Sequence, residues 1–545
     1  MLGTEIFLVK RPVKPNASLK ASWIFPNSFE VGMSSLGYQL VWWLLEQDPD
    51  FLVSRGFSDC NEGTPKDSDI AGFTLSFELD FINILQILDN SKIALLSSQR
   101  TKDDPIVFGG GPVLSANPEP FCDFFDVILL GDAEITVPRF LEAVKQCQNL
   151  KSRQEKLVYL SKIEGLYVPQ FYKYVLEHNS KNSPIAKIQT TIQEATEFPI
   201  RQTFKAPDDY IAHSLMLTPK SAFANMFLME IVRSCPQECR FCLASYLTRP
   251  FRAANIDSLL ETVELGVKHT RKVGLLGPSV TEHPQFETFS QELLKRYKGK
   301  IDISIASIRI DSVSPVILAM LHELGQKSVT LALESGSPRL RQIMKKNLSQ
   351  EQIFETFSLI STSGLSAVKL YGMVGLPGEI DQDLQETVDL LKALKKSFPK
   401  LRITFGVSSF VPKAQTPFQW NGRDLDAGKK IEFLRKHLSK LGITVRPESH
   451  NWSDIQALLS RGDRRLTPLL MQIAQDKPGL GNWKKAFRDQ KFNCPDLDFY
   501  AFRQIPLQEC LPWSHLVPSN KIEMLRKHEE QATLDSQRLS IENRT

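Results

Sequence analysis

No stretch of this 545-residue chain approaches the roughly twenty consecutive apolar residues that a membrane-spanning helix needs. Residues 1–14 carry Glu5 within their short apolar stretch. They offer neither the apolar core nor the small-residue cleavage site of a signal peptide, so a cytoplasmic protein is expected. Charge of one sign is also lacking: a net +4 is too weak a bias to argue for nucleic acid as a partner. Cysteine is sparse, eight in all, and outside one short run it is scattered, which fits a reducing compartment better than a disulfide framework. Histidine is sparse too, with none before His178. No repeat of fixed period and no low-complexity tract is present. What remains is ordinary for a water-soluble chain, 42% hydrophobic and 23% charged, and too long for a single core.

Against that background the run Ile231-Val232-Arg233-Ser234-Cys235-Pro236-Gln237-Glu238-Cys239-Arg240-Phe241-Cys242 stands out. Three thiolates on one tight loop suit three corners of a cubane iron–sulfur cluster. The fourth iron then has no ligand from this loop and is open to a substrate-like cofactor. Zinc is the competing reading, but structural zinc sites are closed by four ligands. Here the next histidine is His269 and the next cysteine Cys494. Three idle thiols would need a coincidence of spacing.

The periodicity around this run is that of strands alternating with helices. Residues 1–149 read as a Rossmann-like domain, with strands at 22–25, 70–75, 105–108 and 126–130 and helices at 36–46 and 81–90. Residues 150–224 read as a connector with strands of its own. Residues 225–440 carry six βα units, with strands at 227–232, 272–276, 302–305, 328–333, 367–372 and 402–407, which fits a partial (β/α)6 barrel of TIM type. After about Asn421 the pattern turns helical and polar, with amphipathic helices over 422–441 and 454–474, and residues 441–545 read as a mostly helical extension. The tail from Lys521 is charged and poor in apolar residues, and reads as a solvated helix or disorder.

The cysteine loop and the βα order that follows resemble the radical S-adenosylmethionine (radical SAM) enzymes. The resemblance implies that Cys235, Cys239 and Cys242 bind a 4Fe-4S cluster on the loop after the first barrel strand. It further implies that S-adenosylmethionine chelates the open iron, and that one electron, from a donor such as ferredoxin or flavodoxin, cleaves it to a 5′-deoxyadenosyl radical. Each strand end can be read from its residues and by this likeness. Gly277 permits a main-chain grip on the methionine ammonium, with a simple turn as the alternative. Ser307 and Arg309 face the cavity at the third strand end, where Arg309 suits a carboxylate, or an ordinary salt bridge with a barrel acid. Glu334 closes an otherwise apolar strand and needs a partner. The likeness supplies ribose hydroxyls, while Arg339 or Arg341 would serve as well. Backbone edges at Gly372 and Gly375 match the place of the adenine ring, though glycine and proline alone say only loop.

Further motifs extend the likeness over nearly the whole chain. They are residues 26–37, Asn117-Pro118-Glu119-Pro120, Gly131-Asp132-Ala133-Glu134, Arg461-Gly462-Asp463-Arg464-Arg465-Leu466 and Leu511-Pro512-Trp513. Together they resemble a bacterial radical SAM family with a cobalamin-binding-like N-terminal domain. Domains that ligate cobalt from below use Asp-x-His-x-x-Gly, and this region has no histidine. Cobalamin bound without a histidine, or the fold kept without the corrin, both stay open. The leading expectation is a radical SAM enzyme, with cobalamin-dependent methyl transfer to an unactivated carbon as the guess for its reaction. One alternative is a methylthiotransferase-like enzyme acting on RNA or protein, with Cys60, Cys122 and Cys147 as ligands of a second cluster. Another is a non-catalytic iron–sulfur or zinc protein. Cys494 and Cys510 have no spacing that points to metal. Trp483, Lys484, Lys485, Phe487, Arg488, Tyr500 and Arg503 suit stacking on RNA, but accessory helices packed over the barrel mouth are the commoner use of such a mix.

Overall fold

The computed structural model describes all residues except 1, 194, 196–200, 205–209, 477–478, 490–492 and 543–545. Near-continuous apolar runs make the first sheet, because a parallel sheet is covered on both faces. Its strands are β1 (Leu19–Ile24), β2 (Phe51–Gly56), β3 (Ile70–Thr74), β4 (Ile106–Gly110), β5 (Val127–Leu129) and β6 (Leu166–Tyr167). Their order in space is β2-β1-β3-β4-β5-β6, parallel except for β6. This is the doubly wound order in which the winding reverses between β1 and β3. Strand β2 is absent from the sequence reading. It is an edge strand whose Arg55, buried between Glu5 and Glu62, makes the run look polar.

Seven further strands share one parallel sense: β7 (Phe227–Glu230), β8 (Lys272–Leu276), β9 (Asp302–Ile305), β10 (Ser328–Glu334), β11 (Ala367–Val374), β12 (Arg402–Ser409) and β13 (Thr444–Pro447). The amide of Ile308 donates to the Thr330 carbonyl (3.0 Å) and joins the β7–β9 group to the β10–β13 group. Strand β13 adds to the six expected units. Along β10, buried Val329, Leu331 and Leu333 alternate with half-buried Thr330, Ala332 and Glu334. The buried set belongs to the apolar cluster that it shares with the surrounding helices, Leu318, Leu321, Ile353 and Phe357 among them. The other set lines the barrel interior, so a polar strand end such as Glu334 is turned toward the mouth.

The C-terminal region differs from expectation in three ways. The helix expected over 454–474 is two helices, His450–Arg461 and Thr467–Gln475. They part at extended Gly462, where a Cβ would lie 2.6 Å from the Leu458 carbonyl oxygen. Leu458, Leu459, Leu469 and Ile473 of these helices, with Trp483 of the next, enter the core of the N-terminal sheet. Trp483, Phe487 and Tyr500 are thus packed inward rather than free to stack on bases. The tail from Ser519 is an ordered helix, Ser519–Glu542, that buries Leu525, Glu529, Ala532 and Asp535. Among its apolar residues, Leu525, Ala532 and Leu539 recur every seventh position, a stripe too thin to register in composition.

Candidate active site

The loop after β7 is built to hold a tight path. Ser234 and Glu238 both take left-handed backbone, with φ of 71° and 55°. Such strain in non-glycine residues persists only where the surroundings fix it. Cys242 N–H closes onto the Cys239 carbonyl at 3.0 Å, Arg240 N–H onto Met344, and the Arg240 carbonyl accepts from Phe418 N–H at 3.1 Å. The Tyr246 hydroxyl donates to the Glu238 carbonyl at 2.7 Å.

Cys239 is buried, and Cys235 and Cys242 are half-buried. Burial pushes the Cys239 thiol up to about 12, with Lys346 and Arg309 pulling the other way and Cys242 adding to the rise. Burial raises Cys235 as well, again with Cys242 as a neighbour. A metal charge reverses that logic and holds such thiols as thiolates. Among the described residues no three His, Cys, Asp or Glu side chains converge as ligands of a single ion. A closed four-ligand zinc centre therefore has no donor set there, whereas cubane thiolates each take a different iron. The donor chemistry fits an iron–sulfur cluster.

The neighbouring strand ends bring charges to the same place. Glu334 sits at a bulge in β10 with φ of 67°, and this aims its carboxylate inward. Its partner is Lys346, Oε1 to Nζ 3.2 Å, rather than Arg339 or Arg341. Arg339 is taken by Asp383, and Arg341 by the carbonyls of Ser335, Gly336 and Leu348. No spacing rule would have found Lys346, since a turn and a short helix separate it from Glu334. Arg309 binds Asp311 at two points, 2.9 and 2.6 Å, and Glu282 at 3.2 Å. It lies near Cys239 but already holds two carboxylates. Ser307 is half-buried at the end of β9.

The three glycines singled out from the sequence have packing reasons of their own. A Cβ on Gly277 would lie 2.4 Å from Val232 Cγ2, just before the cysteine loop. A Cβ on Gly372 would lie 2.0 Å from the Phe405 ring. Gly375, with φ of +75°, gives its N–H to Glu379 Oε2 at 2.6 Å.

A cavity of about 610 Å³ faces this loop from the other domain. One wall is the carboxyl ends of the first sheet: Thr74, Gly110, Leu129 and Gly131. The opposite wall is Arg233, Ser234, Ala244 and Leu247 of the cysteine loop. Ion pairs cross its rim. Arg233 reaches Glu134 at 2.8 Å and Glu230 at 2.7 Å, and Arg252 reaches Asp132 at 2.7 Å. The turn 131–134 thereby grips the chain two residues before Cys235. A second cavity, about 870 Å³, is formed by Trp420 and residues between 507 and 526 and includes no cysteine-loop residue.

The other cysteines stand apart from one another. Cys60 is half-buried in a turn after β2. Cys122 is buried against Glu119 (Sγ to Oε1 3.2 Å), and Cys147 ends the helix Ala133–Gln146 with its Sγ near the Lys156 carbonyl.

Two family models match the chain: the radical SAM superfamily over residues 229–391 and the radical SAM N-terminal family over 54–169. An uncharacterised protein of Methanocaldococcus jannaschii is 30% identical over 450 residues, 82% of this chain and 89% of that one. The chain belongs to the radical SAM superfamily. As a radical SAM protein it is an enzyme whose cofactors are a 4Fe-4S cluster and S-adenosylmethionine, and its N-terminal domain is a doubly wound, Rossmann-like α/β sheet. The threonylcarbamoyladenosine tRNA methylthiotransferase MtaB of Aquifex aeolicus is 23% identical over 266 residues, 46% of this chain and 62% of that one. The radical S-adenosylmethionine methyltransferase TsrM of Kitasatospora setae superposes with a TM-score of 0.49 at 12% identity, covering 71% of this chain and 73% of that one. No helix among the described residues is long and apolar enough to cross a membrane.

Proposed function

We propose that this radical SAM enzyme holds a cobalamin in the cavity between its two α/β domains and transfers a methyl group to an unactivated carbon. The observation that carries the reading is the cavity of about 610 Å³, bounded by the carboxyl ends of β3–β5 on one side and the cysteine loop on the other. Ligands of doubly wound sheets bind at that edge, beside the reversal of strand order. Leu40, Val41, Val113 and Leu129 give it apolar walls suited to a flat ring. No histidine lines it, so a cobalt there receives no imidazole from these walls.

In this reading Cys235, Cys239 and Cys242 each take one iron, and Glu334 takes the ribose hydroxyls of S-adenosylmethionine. When bound, the cluster and S-adenosylmethionine supply one-electron cleavage to a carbon radical, and the corrin supplies a methyl carrier. Lys346 pairs with Glu334 and holds it in place, and Arg309 sets positive charge beside Cys239. The turn 131–134 holds the cavity wall and the cysteine loop at a fixed separation through Arg233. The separate surroundings of Cys60, Cys122 and Cys147 weigh against a second cluster of the methylthiotransferase kind.

The test is retention of hydroxocobalamin through anaerobic desalting. The wild type is expected to keep one equivalent. Leu247→Trp, which fills the cavity wall, is expected to lose it while keeping the iron content of the wild type. Equal retention by both proteins, or none by either, contradicts the reading.

A further inference from the structure

The cysteine loop is gripped from a direction that neither the barrel nor the first sheet supplies. Arg240 lies between Cys239 and Cys242, and its side chain is 6% exposed. Its Nη1 donates to Asp535 Oδ2 at 2.9 Å and to the Ile343 carbonyl at 2.6 Å. Asp535 belongs to the C-terminal helix, 295 residues away in the chain, and is itself 11% exposed at the side chain. The same helix face supports the loop again two turns earlier. There His528 Nδ1 lies 3.3 Å from the Tyr246 hydroxyl, which donates to the Glu238 carbonyl.

Ile343 ends the helix Pro338–Ile343 that follows Glu334, so the Arg240 guanidinium also satisfies a carbonyl at that helix's C-terminus. Lys346, the partner of Glu334, is three residues on. A single buried guanidinium therefore ties three things together: the carboxylate of Asp535, the backbone between two cysteines, and the turn that carries Lys346 to Glu334. A buried arginine that loses its carboxylate is left as an uncompensated charge, and the backbone around it must shift to reach water.

We propose that Asp535 is a positioning residue for the cluster loop. It fixes Arg240, and through Arg240 it sets both the spacing of the cysteines and the approach of the strand-end turn that bears Glu334. The C-terminal helix is then part of the cofactor site rather than a solvated appendage. The proposal rests on the assignment of Cys235, Cys239 and Cys242 to the cluster.

The experiment compares full-length wild type, Asp535→Asn and Asp535→Glu. Three measurements are made: amide hydrogen exchange of the cluster-free chain, the rate of iron loss to a chelator after reconstitution, and equilibrium binding of S-adenosylmethionine. Asp535→Asn is expected to speed exchange in residues 235–247 while leaving the barrel strands protected. It should lose iron about tenfold faster and bind S-adenosylmethionine about tenfold more weakly, the scale of one lost charge-assisted contact. Asp535→Glu is expected to restore most of both. If Asp535→Asn matches the wild type in exchange, iron retention and binding, the proposal is overturned. It is overturned equally if both variants fail alike with exchange raised throughout the barrel, because Asp535 then serves packing alone. Failure of the cysteine assignment would show separately, as a wild type that binds no cluster.

Discussion

Glu334 is the residue at which sequence and geometry agree most closely. A carboxylate at the end of an apolar strand announces a partner, and the bulge with its left-handed backbone shows how the chain aims it. What the sequence could not supply was the identity of the cation, because Lys346 arrives from beyond a turn and a helix. Glu334→Gln should leave the fold intact and weaken S-adenosylmethionine binding about tenfold, the scale of one charge-assisted hydrogen bond, as equilibrium dialysis would measure. Glu379 carries a pH dependence of its own. Burial pushes its carboxyl up to about 7 from an ordinary 4.5, against the pull of Lys430. Between those values the folded chain keeps a proton that the unfolded chain has released. Stability therefore falls as pH rises through that window, by about 3 kcal/mol in full, while below it the group contributes nothing. Glu379→Gln removes the ionisation. Its melting temperature relative to wild type should rise from pH 5 to pH 8, and a constant difference would refute the assignment.

Among the elements, strands and helices of the barrel were legible because their apolar periods are long and regular. The elements that escaped are those whose polar residues are satisfied by distant parts of the chain. Arg55 disguises β2, and the C-terminal helix carries only a thin apolar stripe while its charged Asp535 is buried against Arg240. The turn 131–134 is a middle case. Its motif was visible, but its use was not, since Arg233 and Arg252 meet it only across the domain boundary. Asp132→Asn leaves Arg252 and the Phe204 amide short of a carboxylate at a buried site. It should cost about 3 kcal/mol or more in denaturant unfolding. A change within a few tenths would mean that the turn does not bind the domains together.

For the whole molecule, the fold class was readable and the cysteine loop stood out as the candidate cluster site, while the way the parts close on one another was not. The motifs at 117–120 and 461–466 looked like separate features. In the structure they are one clasp: buried Glu119 receives Arg464 at 2.8 Å and Tyr167 at 2.5 Å, and Asn117 donates to the carbonyls of Ser460 and Gly462. Arg464→Met strands the Glu119 charge and should destabilise the chain by about 3–5 kcal/mol, with earlier limited proteolysis in the C-terminal helices. Unchanged proteolysis would show that the extension is held by apolar packing alone. The turn 131–134 of the N-terminal domain and Asp535 of the C-terminal helix both reach the loop of Cys235, Cys239 and Cys242 or its flank, and the account stands or falls with what that loop holds. The most direct measurement is the electron paramagnetic resonance spectrum of the anaerobically reconstituted, reduced protein, recorded with and without S-adenosylmethionine, beside a variant with all three cysteines changed to alanine. One 4Fe-4S cluster per chain is predicted, with a signal that shifts on adding S-adenosylmethionine and is absent from the variant. A cluster indifferent to S-adenosylmethionine, or one that persists without these cysteines, would contradict the account.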